Sequence, residues 1–123
     1  DGLGRATYPV VILDCLTLLL TGAIFAGDEG SPGLPDPDGL GEAQVEARAQ
    51  QAVDELLGTA ACRAGRLIVV TNELGMGIVP EYPLGRWFRD AQGRANQRVA
   101  AAADQVVFMV SGIPWTLKGS PDS

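Results

Sequence analysis

The sequence predicts an α/β fold with a parallel sheet and crossover helices, because strand-like runs alternate with helical patterns along the chain. Three short runs rich in branched apolar residues are predicted to be strands, at 8–14, 66–71 and 105–110. Parallel strands are joined by crossovers that usually contain a helix, and such sheets are covered on both faces. We therefore expect central, fully covered strands in a chain of 123 residues, which is long enough to bury a core.

Three helices are predicted beside these strands. The first, at 15–25, is almost entirely apolar and is expected to be buried. The second, at 42–64, should end at Gly65, and the third covers 84–103. Both carry apolar residues at steps of three and four, which is typical of a helix with one buried face. The residues predicted to face inward are Val45, Ala49, Val53, Leu56, Leu57 and Ala60 on the second helix, and Leu84, Trp87, Phe88, Ala91, Ala95 and Val99 on the third.

The remaining segments are predicted to be a loop, a turn, an edge strand and a tail. Glycine, proline and acidic residues dominate 27–41, which is expected to be a flexible acidic loop. The chain should turn at 111–114, form a short edge strand at 115–118 and end in a tail at 119–123. Because 123 residues suit one small domain and the first residue is not methionine, we expect 1–123 to be a single α/β domain fragment of a longer protein.

The composition argues against several functions for this chain acting alone. A net charge of −6 disfavours a nucleic-acid partner, since phosphate binding requires clustered Lys and Arg. The absence of histidine removes the commonest general base and any nucleophile that histidine would activate. Cys15 and Cys62 are too few for a disulfide scaffold. They are expected to be buried free thiols in a reducing compartment, the cytoplasm.

The apolar stretch at 9–26 is too short to cross a membrane. Asp14 interrupts it, and the uninterrupted part at 15–26 contains only 12 residues. A membrane-spanning helix needs about 20 apolar residues. The stretch is therefore expected to be a strand followed by a buried helix.

Asp14 is the first candidate site residue, because it ends an apolar strand at the edge of the sheet where ligands bind. A carboxylate held there, as in a Walker B segment, can orient a water on Mg²⁺ that bridges nucleotide phosphates. The alternative is structural, since an aspartate in this place also caps the helix that follows a strand. The residue pattern alone leaves both interpretations open.

The loop at 72–81 is the second candidate site. Asn72 and Glu73 follow the second strand, and Gly75 and Gly77 allow a ligand to approach the backbone closely. The alternative is a turn that leads into the third helix. The third helix also carries four arginines, Arg86, Arg89, Arg94 and Arg98. They do not share one face, so they are expected to be solvated, or else one or two of them pair with phosphates or a neighbouring subunit.

A long ordered string then resembles a known family. Val-Thr-Asn-Glu-Leu-Gly-Met-Gly-Ile-Val-Pro-Glu at 70–81 is similar to the signature of the bifunctional adenosylcobinamide kinase/adenosylcobinamide-phosphate guanylyltransferases. Leu-Asp-Cys-Leu-Thr at 13–17 also resembles the family's second nucleotide segment. Further similar strings lie at 88–90, 93–94, 96–98, 100–104 and 110–114.

The resemblance implies the C-terminal part of a cytoplasmic enzyme of cobalamin assembly and salvage, with an incomplete RecA-like P-loop fold. Family members are often trimeric homo-oligomers that phosphorylate adenosylcobinamide with ATP or GTP. They then transfer GMP from GTP to the product through a guanylylated histidine. By this resemblance Asp14 would serve Mg²⁺ and the nucleotide, and Thr17, Asn72 and Glu73 would line the nucleotide site.

The departures from the family pattern concern its catalytic groups. The family opens with a strand and a Gly-x-x-x-x-Gly-Lys-Ser loop that holds the phosphates, and neither that loop nor a histidine occurs in this sequence. No catalytic residue is therefore predicted in this chain, and we expect it to be inactive alone. The alternative is a non-catalytic remnant or assembly partner that uses the third helix and the sheet edge as an interface.

Overall fold

The computed structural model describes residues 8–25 and 40–120. The elements follow one another as strand β1 (Val10–Asp14), helix α1 (Leu16–Phe25), helix α2 (Glu42–Cys62), strand β2 (Arg66–Val70), helix α3 (Pro83–Ala102), and strands β3 (Val106–Val110) and β4 (Ile113–Lys118). The acidic loop predicted at 27–41 lies outside the described residues except for Leu40 and Gly41, and so does the predicted tail except for Gly119 and Ser120.

Strands β1 and β2 form the predicted parallel pair. Val10 lies opposite Arg66, and the register continues without a break to Asp14 opposite Val70. Helices α1 and α2 lie between the two strands in the sequence, as a parallel connection requires. The α/β class and a small parallel sheet are therefore confirmed.

The third predicted strand is not part of this parallel sheet. Among the described residues, β3 pairs only with β4, in an antiparallel hairpin. The connection consists of Ser111 and Gly112, both with positive φ, at 52° and 76°. Two consecutive residues with positive φ form the tight turn that joins antiparallel strands through a two-residue loop. The edge strand consequently begins at Ile113, two residues before its predicted start.

Helices supply most of the core. On α1, Leu16, Leu20 and Ile24 recur at one-turn spacing and are fully buried. The inward faces predicted for the two longer helices are confirmed, because the following residues lie in or against this core: Val45, Ala49, Val53, Leu56, Leu57, Leu84, Trp87, Phe88, Ala91, Ala95 and Val99. Ala60 is half-buried and lies outside the cluster. Packing of α1 on α2 and of α2 on α3 thus fixes the helical layer beneath the sheet.

Among the described residues, the parallel sheet is covered on one face only, in contrast to the prediction of strands covered on both. Leu13, Leu67 and Val69 pack against the helical core. On the opposite face, within the part of the chain that the structure describes, the side chains of Val10, Ile12, Ile68 and Val70 are 41–60% exposed. These four residues are referred to below as the uncovered face. Alternate side chains of a strand point to opposite faces, so burial alternates along both strands.

Gly65 has a different role from the predicted helix stop. Helix α2 ends at Cys62, and its C-cap Arg63 has an extended backbone. Gly65 adopts a φ of 113°, and a Cβ on it would lie 2.7 Å from the carbonyl oxygen of Pro9. Glycine is therefore required where the chain enters β2 beside the start of β1.

The two cysteines differ in burial. Both are free thiols, as predicted, but Cys15 is partly buried and Cys62 is exposed at the end of α2. The prediction of two buried thiols is therefore wrong for Cys62, whose helix position points away from the apolar stripe. Among the described helices, none has the length and apolar character needed to cross a membrane.

Candidate functional site

Three of the predicted site residues lie at the carboxyl edge of the parallel sheet. Asp14 is the last residue of β1 and pairs in register with Val70, the last residue of β2. Thr17 follows in the first turn of α1, and Asn72 lies two residues beyond β2. Parallel pairing makes both strands end at the same edge, which is where α/β sheets bind ligands.

A direct hydrogen bond joins two of these residues. The side-chain Nδ2 of Asn72 donates to Oγ1 of Thr17 at 3.0 Å. The bond links the loop after β2 to the first turn of α1, across 55 positions of sequence. Two residues that the resemblance assigns to one nucleotide site are thus in direct side-chain contact.

Asp14 remains open to solvent. Its side chain is exposed and lies on the same side of β1 as Ile12, on the uncovered face. It forms no hydrogen bond or ion pair with any residue in 8–25 or 40–120, so it does not cap α1 in this structure. An unpaired carboxylate at a strand end can bind a cation or a polar ligand.

Glu73 takes part in a local turn. Its Oε1 accepts a hydrogen bond from the backbone N–H of Gly75 at 2.6 Å. A Cβ on residue 75 would lie 2.8 Å from that oxygen, so glycine allows the carboxylate to approach. The structure shows the turn that was the alternative interpretation of this loop, and no contact within the described residues joins Glu73 to Asp14, Thr17 or Asn72.

The sequence reasoning missed a pair of residues on α3 that hold this edge. Gln92 is buried and donates from Nε2 to Thr71 Oγ1 and to Asn96 Oδ1, both at 2.9 Å. Thr71 donates to the same Asn96 oxygen at 2.6 Å, and Asn96 Nδ2 donates to the backbone oxygen of Asn72 at 3.0 Å. The available signal was the position of Gln92, four residues after Phe88 and therefore on the inward side of the helix.

All four arginines of α3 have hydrogen-bond or ion-pair partners within the chain, and Arg86 and Arg94 are also exposed to solvent, as predicted. Pairing of one or two of them with phosphates or a neighbouring subunit stays a prediction. Arg89 donates to the carbonyl oxygen of Gly75 at 2.7 Å. Arg86 donates to the carbonyl oxygens of Pro80 and Glu81 at 3.1 and 2.9 Å. These two side chains hold the loop at 73–81 against α3.

The other two arginines connect α3 to α2. Arg94 pairs with Glu46 at 3.2 Å, and Arg98 pairs with Asp54 at 2.5 Å and also contacts Gln50. Such exposed pairs contribute little stability individually, about 0–1 kcal/mol. Their consequence here is that these guanidinium groups already have partners within the chain.

A surface groove between α1 and α2 does not coincide with the candidate site. It is lined by Ala23, Arg48, Gln51, Ala52 and Glu55. Ala23 lies in the C-terminal half of α1, about two turns from Thr17 in the first turn. The groove therefore contains none of the residues at the carboxyl edge of the sheet.

Comparison with known proteins identifies the family. Residues 3–117 match the family model described as cobinamide kinase / cobinamide phosphate guanyltransferase. The chain belongs to this family. The match includes both segments that carried the resemblance, at 13–17 and 70–81.

Curated relatives of the cobinamide kinase family agree with this assignment. The chain is 41% identical over 109 residues to the bifunctional adenosylcobalamin biosynthesis protein CobU of Salmonella typhimurium, covering 88% of this chain and 58% of the relative. CobU of Escherichia coli is also 41% identical over 109 residues, covering 89% and 58%. CobP of Pseudomonas aeruginosa is 37% identical over 112 residues, covering 90% and 54%. The chain thus spans little more than half the length of the curated relatives it matches.

Proposed function

We propose that this chain supplies part of the nucleotide site of a bifunctional adenosylcobinamide kinase and adenosylcobinamide-phosphate guanylyltransferase in the cytoplasm. The proposal is supported by the position of Asp14, Thr17 and Asn72 at the carboxyl edge of one parallel sheet. The chain that carries them is a member of the cobinamide kinase family. In the first reaction the substrate hydroxyl would attack the terminal phosphate of ATP or GTP and release the nucleoside diphosphate. In the second, GMP would pass from GTP to the new phosphate with release of pyrophosphate.

Mg²⁺ fits the residues at this edge. The ion is usually held by one or two carboxylates, with waters and substrate phosphates completing its six oxygen ligands. Asp14 offers one exposed carboxylate without a protein partner among the described residues. When bound with the nucleotide, Mg²⁺ would neutralise charge on the phosphates. Asp14 would hold it directly or through a water, while Thr17 and Asn72 would contact the nucleotide complex.

The sheet itself supports an incomplete RecA-like arrangement. In the described part of the chain, β1 and β2 form a sheet of only two strands, so each keeps one edge without a strand partner. The uncovered face presents Ile12 and Ile68 to solvent. We propose that segments supplied by the rest of the family's length, including the glycine-rich phosphate loop and the histidine, complete this sheet and cover the uncovered face.

A second candidate is an assembly partner within a homo-oligomer, such as a trimer. One observation favours it: β4 exposes Ile113, Trp115 and Leu117, all on an edge strand. The third helix, which was the other predicted interface, is less suited because its arginines are already paired within the chain. This role is compatible with either an active or an inactive protein.

The proposed function predicts that activity requires more than these 123 residues. Two proteins are compared: this chain, and an extended chain that also carries the residues its gene encodes before Asp1. Each is incubated with adenosylcobinamide, Mg²⁺ and GTP, and products are followed by chromatography and mass spectrometry.

We expect adenosylcobinamide phosphate and then adenosyl-GDP-cobinamide from the extended chain, and no product from the 123-residue chain. A gene that encodes no such upstream residues, or an extended chain that folds but makes neither product, would overturn the catalytic proposal. An inactive extended chain that still forms a defined oligomer would instead support the assembly role.

A further inference from the structure

We propose that Gln92 and Asn96 are positioning residues, which fix Asn72 against Thr17 so that both present their remaining polar atoms to a ligand at the carboxyl edge of the sheet. The identity of that ligand, a nucleotide with Mg²⁺, rests on the proposed function. The positioning itself rests on the hydrogen bonds and burial of the described residues.

Gln92 is a buried amide whose side-chain oxygen is unpaired. Its side chain is 0% exposed, and it is the one buried polar side chain in the part of the chain that the structure describes. Its Oε1 has no hydrogen-bond partner there. A buried, unpaired polar group costs about 1–3 kcal/mol, so an apolar side chain of similar size would suit the packing better. The amide is therefore explained by what its Nε2 binds, namely Thr71 and Asn96.

Asn96 connects Gln92 to the loop after β2 through hydrogen bonds. Gln92 and Asn96 are four residues apart and lie on the same side of α3. The side chain of Asn96 accepts from Thr71 and donates to the backbone oxygen of Asn72. Two successive residues are thereby fixed at the point where the strand ends, which sets the direction in which the Asn72 side chain leaves the backbone.

The arrangement leaves two ligand-binding atoms side by side. The Nδ2 of Asn72 is directed to Thr17 Oγ1, and the Oδ1 of Asn72 has no partner within the described residues. Because that Thr17 oxygen accepts the bond from Asn72, its own hydroxyl hydrogen remains available to donate. One acceptor and one donor are therefore available to a polar ligand group, such as a hydroxyl or a water, at the edge that also carries Asp14.

The test uses two near-isosteric variants and one matched control. Gln92→Met removes the amide and keeps a side chain of similar length. Asn96→Asp keeps the oxygen that accepts from Thr71 but cannot donate to Asn72. Gln97→Met makes the same change as the first variant at an exposed position of the same helix that lies outside the hydrogen-bond network.

Two readouts separate positioning from stability. In the 123-residue chain, NMR should show a nuclear Overhauser contact between the side-chain amide of Asn72 and the γ-methyl of Thr17. We expect this contact to be lost in both network variants and kept in Gln97→Met, with thermal midpoints close to that of the control. In the extended chain, the KM for Mg²⁺–GTP should rise about tenfold with little change in kcat, as expected when one hydrogen bond in ground-state binding is lost.

The outcomes distinguish this inference from the proposed function. Retention of the Asn72–Thr17 contact in both folded network variants would overturn the positioning role. Loss of the contact with an unchanged KM would overturn its link to ligand binding. If the contact is lost but the unmodified extended chain does not bind Mg²⁺–GTP at all, the positioning role is supported and the proposed function fails.

Discussion

Replacing Asp14 with Asn is expected to lower phosphoryl transfer by the extended chain about 10- to 100-fold, the range seen when a side chain that orients a metal-bound group is lost. Asn has nearly the same shape as Asp, so the change removes charge and leaves packing intact. Asp14 is exposed and has no protein partner among residues 8–25 and 40–120, so no ion pair is broken. The measurement is the initial rate of adenosylcobinamide phosphate formation at saturating GTP and varied Mg²⁺.

Asp90→Asn is the matched control for this prediction. Asp90 is an exposed aspartate on α3 without a hydrogen bond or ion pair among the described residues, so its replacement removes the same charge at a residue outside the candidate site. We expect its rate to remain within about twofold of the unmodified protein, as for surface changes away from a site. Equal rates for the two variants would exclude Asp14 from the nucleotide site.

Leu20→Ala is expected to lower the free energy of unfolding by about 2–5 kcal/mol. Leu20 is fully buried in the middle of α1, between Leu16 and Ile24, where α1 packs on α2. Small domains are stable by only about 5–15 kcal/mol, so the variant loses a large part of its stability. Urea denaturation followed by circular dichroism measures the change, with similar slopes expected for both proteins.

Leu18→Ala provides the control on the same helix. Leu18 is 67% exposed, so the same truncation leaves no cavity. Its effect should stay within about 0.5 kcal/mol. If Leu18→Ala destabilised the chain as much as Leu20→Ala, the buried face of α1 would differ from the one in this structure, and the helical core would need a different account.

The helices could be predicted because their signal is local. Apolar spacing located α3 to within one residue at each end and identified its buried face from Leu84 to Val99. The pairing of β3 could not be predicted from its own residues, since a run such as Val-Val-Phe-Met-Val suits either kind of sheet. The hairpin signal was in the next two residues, Ser111 and Gly112, whose length and conformation favour antiparallel pairing.

The residues of a strand do not by themselves determine which parts of the protein cover its two faces. An apolar run shows that both faces of a strand avoid water, but it does not identify what covers them. Here α1–α3 cover the face with Leu13 and Val69, while Ile12 and Ile68 remain exposed. The chain spans 58% of the length of its Salmonella relative, and we propose that the remaining family segments cover the second face.

Part of the candidate site could likewise be predicted from the sequence, and part could not. The positions of Asp14 and Asn72 at one edge follow from strand ends, which the sequence reveals, whereas Thr17 was assigned only through the family resemblance. The turn between Glu73 and Gly75 depends on a hydrogen bond that spacing alone does not distinguish from a ligand contact. Gln92 was missed because a glutamine in a helix with many polar residues resembles a surface residue, although its spacing from Phe88 places it inward.

Calorimetric titration of Mg²⁺–GTP into the 123-residue chain and into the extended chain tests most directly whether this sheet is one part of a larger nucleotide site. We expect saturable binding to the extended chain, weakened by Asp14→Asn, and no binding to the 123-residue chain at the same concentrations. Equal binding to both proteins would contradict this expectation, because the nucleotide would then be held without the glycine-rich loop.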